Sequence, residues 1–222
     1  QRTGALYFVL SNGKIYGLGA SVDMINKSNN TFVVPTNESE WVYLFDLNKN
    51  GIFTMSDIRF LSIKPSNMIF VLNNGDIYSI GRKVFEIYGF NKYSELEIYP
   101  RRIGKFDNSL IDASSNYINN FSVDKIKSFD VSEKNSFILL KNGKGYIAGD
   151  NTYGQCGIAP SVKTKVNRYR LLPYTNIKEM KLGKDFTALL LSDGTIKVAG
   201  RNDFGIRGLG HENEISYVNG NE

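Results

Sequence analysis

The most suggestive spacing of oxygen-bearing side chains lies in DLNKNGIFTMSD, Asp46 to Asp57. Asp46, Asn48 and Asn50 stand at alternate positions, Gly51 follows, and Asp57 is twelfth. A calcium loop presents oxygen ligands at positions 1, 3 and 5, turns on a glycine at 6 and closes with a carboxylate at 12. Such a loop also needs a helix leaving from its end. Here the flanks, WVYLFDL from Trp41 and IRFLSI from Ile58, read as strands. Only two of the four ligand candidates are carboxylates. The expectation is an Asn-rich turn with no bound metal, and Asp46, Asn48, Asn50 and Asp57 form the weaker, metal-binding alternative.

Other reactive groups are sparse. Cys156 is the lone cysteine, so no internal disulfide framework exists. The lone histidine, His211, is far along the chain, and a Cys–His nucleophile needs both within hydrogen-bond reach. The glycine spacings come from hairpins rather than from a strand feeding a helix, so no phosphate cradle is indicated. No motif places a pair of carboxylates. The expectation is a non-enzymatic protein without a cofactor.

Positive charge is concentrated twice. KTKVNRYR carries Lys163, Lys165, Arg168 and Arg170 around Tyr169, and YPRRIGK carries Arg101, Arg102 and Lys105. Both are expected on an outer strand or rim loop. There they could meet an acidic protein partner, or they could be solvated charge protecting a sheet edge. The net charge of +5 is mild and gives little support to nucleic acid as the partner. The stretch Asp107 to Asp124 is polar and Asn-rich, and reads as a long loop suited either to binding or to tolerated drift.

The elements that position these groups show in the turns. SNGKIYGLG, NNGDIYSIG, KNGKGYIAG and SDGTIKVAG each carry Asn or Asp before a glycine, then five residues, then a second glycine. The pairs are Gly13 and Gly19, Gly75 and Gly81, Gly143 and Gly149, Gly194 and Gly200. Asn-Gly and Asp-Gly point to two-residue hairpin turns with positive φ at both central residues. The second glycine is expected at the strand's end, where a neighbouring backbone passes close. Before the turns, the apolar runs from Phe8, Phe70, Ile138 and Leu189 read as strands buried on both faces. Ile58 to Gly75, Ile126 to Gly143 and Ile177 to Gly194 are each 17 residues apart, which sets one further strand in register in three of the units. Successive turn glycines are spaced by 62, 68 and 51 residues, enough for one four-stranded sheet per unit with loops of varying length. A unit of this kind must stack on its neighbours to bury both faces.

The third and fourth hairpins run into AGDNTYGQCGI and AGRNDFGIRGLG. Both fit G-x-N-x-[YF]-G-x-x-G, through Gly149, Asn151, Tyr153, Gly154 and Gly157, and through Gly200, Asn202, Phe204, Gly205 and Gly208. With SFILLKNG and TALLLSDG before them, these runs resemble the repeat of the regulator-of-chromosome-condensation family. The resemblance is specific in the last 100 or so residues and touches all four units. It departs from the family at the usual Trp, replaced by Leu18, Ile80, Ala148 and Ala199, and at a common His, replaced by Asn135 and Phe186.

The resemblance implies an all-β fold: a β-propeller, or a partial propeller of four-stranded blades, in a single repeat domain over 1–222 with about four blades visible. The first unit lacks room upstream for its outer strand: either the rest of the ring belongs to missing chain, which is the preferred expectation, or EISYVNG (214–220) supplies that strand and closes a small four-bladed ring, and the first and last blades are the ones left open as incomplete. The implied function is protein binding or scaffolding, with the rest of a propeller or another subunit among the candidate partners. Nucleotide exchange on a small GTPase and a bacterial or phage surface adhesion module are the alternatives. The missing histidines weaken the exchange reading. No run approaches the ~20 apolar residues of a membrane span and no leader is visible, so a soluble protein is expected, its compartment left open. A start at Gln1 leaves a fragment, a processed product or a trimmed chain equally open.

Overall fold

The computed structural model describes residues 6–18, 25–26, 31–32, 41–64, 67–84, 94–112 and 121–208. Gly19, His211 and the stretch 214–220 lie outside the described residues, as does 113–120 of the long loop. Two compact units divide the chain: Gln1–Val84 with Lys92–Lys105, and Phe85–Asn91 with Phe106–Glu222. Among the described residues the first holds two larger antiparallel sheets and a separate two-stranded pair, and the second holds two antiparallel sheets.

In the first unit, sheet one contains β1 (Leu6–Val9) and β2 (Lys14–Leu18); β3 (Ile25–Asn26) and β4 (Thr31–Phe32) pair apart from it; β5 (Val42–Asp46) completes it in the order β1-β2-β5. Sheet two is the meander β6 (Ile58–Lys64), β7 (Asn67–Leu72), β8 (Asp76–Val84) and β9 (Ser94–Lys105). The second unit repeats this plan. Sheet three is β10 (Ile126–Val131), β11 (Asn135–Leu140), β12 (Gly145–Asp150) and β13 (Lys165–Leu171). Sheet four is β14 (Ile177–Leu182), β15 (Phe186–Leu191) and β16 (Ile196–Gly200). The three segments in register at 17-residue separation are therefore the equivalent strands β6, β10 and β14. Sheets two and three have four strands, whereas one and four show three among the described residues.

Alternation along the strands explains the stacking. In sheet three, Phe137 and Leu139 point to one face of β11 and join Leu189 and Leu191 of β15 in one core. Ile138 and Leu140 point the other way and are equally buried. A strand apolar on both faces needs cover on both, as the run FILL requires. In the first unit, Ile15, Leu44 and Phe45 of sheet one meet Met68, Phe70 and Ile80 of sheet two. Phe53 bridges them, its ring centroid 5.1 Å from that of Phe70.

The hairpins correct the expected turn. Gly13, Gly75, Gly143 and Gly194 all have positive φ, between 80° and 88°. Their amides donate to Leu10, Leu72, Leu140 and Leu191 carbonyls, with three residues in each loop rather than two. Leu10, Leu140 and Leu191 close the wider pair by donating to the carbonyl four residues on. This is a three-residue loop ending on a glycine in the left-handed region. The side chain at the middle position explains why it is Asn or Asp. Asn12, Asn74, Asn142 and Asp193 each accept from the backbone amide two residues later, at 2.9–3.2 Å, across the glycine.

Two further expectations are corrected. The run at Phe8 is not buried on both faces: Phe8 is 46% and Val9 39% exposed. Phe8 packs instead on Trp41, centroids 4.4 Å apart. Gly81 does not end its strand, since β8 continues to Val84, paired with β9 as far as Ser94. Gly200 does end β16, at φ 116°, and a Cβ there would lie 2.7 Å from the Phe186 Cα, so a neighbouring backbone does pass close. Among the described residues no helix is long and apolar enough to cross a membrane.

Candidate functional site

The loops after β12 and β16 fold alike because the same asparagine closes both. Gly154 donates to the Asn151 carbonyl and Gly157 to that of Gly154; Gly205 and Gly208 repeat this with Asn202 and Gly205. The Asn151 carboxamide oxygen accepts from the Cys156 amide at 2.8 Å, and Asn202 accepts from Arg207 at 3.0 Å. Asn151 Nδ2 then donates to the Ile158 and Lys163 carbonyls, holding the far end of the loop where β13 begins. Both asparagines are fully buried, so these bonds fill a need that water cannot meet.

Beside these loops a charged network spans sheets three and four. Lys134, in the β10–β11 turn, donates to Asp185 of the equivalent β14–β15 turn at 2.6 Å and lies 3.5 Å from Asp150. Glu133 pairs with Lys184 at 3.2 Å. Arg201 pairs with Asp203 and, at 3.8 Å, with Asp185. Tyr153 lies under both cations, 5.9 Å from Lys134 Nζ and 5.1 Å from the Arg201 guanidinium. The hydrogen bond to Asp185 raises the Lys134 ammonium above its ordinary range, partly opposed by burial. Burial would raise the Asp150 carboxyl, but the Thr152 hydroxyl and amide and Lys134 outweigh it and hold it low. The sequence carried a signal of this network: aligning SEKNS with GKDFT sets Glu133 and Lys134 against Lys184 and Asp185, opposite charges at matched positions.

The basic residues predicted as an interaction surface divide. Arg168 and Arg170 are exposed on β13, Lys163 is exposed just before it, and Lys165 is half-buried. Tyr169 is a correction: it is fully buried, and its hydroxyl donates to Ser136 Oγ at 2.7 Å. Alternation places it on the core face between the two arginines. It anchors the strand and cannot meet a partner. Arg101 and Arg102 are exposed on β9 of the other unit, where Arg102 is bound to Asp76 at 2.7 Å.

Cys156 is buried, its Sγ donating to the Asp150 carbonyl at 3.3 Å, and burial pushes its thiol well up from the ordinary value. Asn135, where the family commonly has His, is buried and donates to the Asp150 carbonyl at 2.7 Å. Phe186, the other such position, is half-buried.

The calcium-spaced stretch forms a turn entering a single 3-10 turn, Met55–Asp57, and a strand leaves from Ile58. Asp46 accepts from the Asn48 amide, and Asn48 accepts from Met55 and donates to the Asn12 carbonyl. Asn50 is buried, donating to the Leu47 and Phe53 carbonyls and accepting from the Ile52 and Phe53 amides. Asp57 accepts from the Thr54 amide and hydroxyl. Among the described residues no three His, Cys, Asp or Glu side chains are grouped to hold a metal ion.

No family model matches the chain. Guanine nucleotide exchange factor SRM1 of Saccharomyces cerevisiae is 24% identical over 225 residues, covering 95% of this chain and 40% of that protein. Human WBSCR16 superposes with a TM-score of 0.61 at 14% identity, over 96% of this chain and 49% of that one. Prp20p of Saccharomyces cerevisiae gives 0.55 at 20% identity, over 90% and 42%. The chain thus spans between two fifths and one half of the length of these relatives. The shared sheet plan, the repeated Asn-centred loops and these likenesses together make the chain an RCC1-like β-propeller repeat domain, distantly homologous to SRM1.

Proposed function

We propose that this domain is a non-enzymatic protein-binding scaffold, acting as a module or subunit of a larger assembly. The observation that carries this reading is β13. Val166 and Tyr169 fix it to the core, while Arg168 and Arg170 stand outward, with Lys163 at its entry. A rigid strand that presents cations suits an acidic protein surface, because its charges are already positioned when the partner arrives. Relatives give a precedent for protein binding: Prp20p has been described with its binding to Gsp1p and histones, and yeast RCC1 with Kap60 bound to it.

Affinity capture of crosslinked partners tests this. The chain should recover a defined protein at physiological salt, and K163E/R168E/R170E, with an unchanged melting temperature, should lose most of it. Equal recovery by the variant rules out this surface. The second reading, nucleotide exchange on a small GTPase, draws on the name of the SRM1 relative, whose likeness runs over 95% of this chain.

A further inference from the structure

We propose that a cavity between sheets three and four seats a tyrosine side chain of a protein partner, its hydroxyl meeting Gln155 and Thr187; this rests on the protein-binding reading and names what the partner presents.

The cavity holds about 30 Å³, roughly twice what one water needs. Among the described residues its walls include Leu172, Leu189 and Ala199, with Pro173, Tyr174 and Lys197 beside them. Pro173 is exposed and Tyr174 and Lys197 are half-buried, so that side reaches the surface. Two lining side chains end in buried polar atoms with no hydrogen-bond partner, Gln155 Nε2 and Thr187 Oγ1. Gln155 is 1% and Thr187 3% exposed, so bulk water does not serve them. The Tyr153 amide takes the Gln155 carboxamide oxygen, which leaves the nitrogen as the open end. Both residues border the end of β16. Thr187 pairs with Ala199, and a Cβ on Gly200 would stand 3.1 Å from the Gln155 Cβ. Buried polar groups without partners destabilise a fold, so an occupant that pairs both is favoured.

Sheet three has the matching position filled. Ser136 pairs with Ala148 there as Thr187 pairs with Ala199 in sheet four. The buried Tyr169 donates its hydroxyl to Ser136 Oγ at 2.7 Å, whereas Thr187 has no such partner. A phenol answers both orphans at once: its O–H donates to Thr187 Oγ1 and its oxygen accepts from Gln155 Nε2. The cavity admits the hydroxyl end, and its apolar walls suit the ring behind it. The residue equivalent to Gln155 in the loop after β16 is Ile206, so the loop's own fold does not require the carboxamide. A carboxylate could also accept from both groups, but the Lys197 charge already acts on the Asp193 carboxylate, which leaves less for a second anion.

The test uses the full, isotope-labelled chain and two probes that differ by one oxygen, N-acetyl-tyrosinamide and N-acetyl-phenylalaninamide. In a nuclear magnetic resonance titration the tyrosine probe should shift the Gln155 side-chain amide. The phenylalanine probe should bind about tenfold more weakly, because it leaves both orphans unpaired. T187V removes one orphan and keeps the side chain's shape, so it should fold with an unchanged or raised melting temperature. It should weaken the tyrosine probe severalfold and leave the phenylalanine probe unaffected. Equal binding of the two probes by the unaltered chain overturns the seat. Binding of neither overturns it too, as does tighter binding of butyrate, which would assign the cavity to a carboxylate. The titration reads the cavity alone: if it fails while capture still falls on charge reversal at β13, the protein-binding reading stands and the tyrosine seat does not.

Discussion

Asn151 and Asn202 show how one side chain can fix a loop. Each replaces a turn of backbone pairing with carboxamide bonds, so the chain can leave a strand, reverse and return without burying orphaned amides. Cys156 is held in place by that closure. Its amide is bound to Asn151, its Sγ contacts the Asp150 carbonyl and Asn135, and burial disfavours the thiolate. The thiolate is the reactive form, so the native protein should resist alkylation by iodoacetamide at pH 8 and react fully once denatured. Mass spectrometry of the adduct decides it; rapid stoichiometric labelling of the folded protein would show that the loop opens readily.

At the scale of elements, the turn charges join sheets three and four. Lys134 is one-third exposed and Asp185 mostly covered, so solvent screens the pair only in part. Partly exposed pairs contribute up to about 1 kcal/mol, and such a change moves the melting temperature of a chain this size by roughly 2–4 °C. K134M and D185N should each lower it by about that much, and the double variant should fall by less than the sum, because both remove the Lys134–Asp185 contact while each also loses one of its own, Lys134 with Asp150 and Asp185 with Arg201. Strict additivity would show that the two side chains act separately. The raised ammonium makes the contribution full below its unfolded pKa of about 10.4 and lost only as the pH rises through the higher folded value. A neutral-pH titration should therefore leave the pair intact.

The strands of these elements were legible in the sequence to different degrees. Ile58, Ile126 and Ile177 announced β6, β10 and β14 because a fixed distance to the turn glycine is a local property of one hairpin plus one turn. Loop length is not legible because Asn-Gly suits both two- and three-residue turns, and the choice depends on which carbonyl the glycine amide finds. Phe8 and Phe70 open the same FVL run, yet one is exposed and the other buried, since cover over Phe70 comes from Phe45 and Phe53, which a local pattern does not carry. Tyr169 reads as a surface residue among its basic neighbours, although strand alternation sends it inward. The Lys134 network rests on a contact between residues 51 apart, which no local pattern states.

At the scale of the molecule, each unit offers paired sheets with a shared core, and the variety lies in loops and outer strands. That division of labour suits recognition: the cores set rigidity and the outer surfaces set choice of partner. Homology to an exchange factor makes catalysis of nucleotide release the sharpest rival to a scaffold. Labelled-nucleotide release from a small GTPase, measured with the domain in excess, separates them. The scaffold account predicts a release rate equal to that of the GTPase alone; concentration-dependent acceleration by the domain would contradict it.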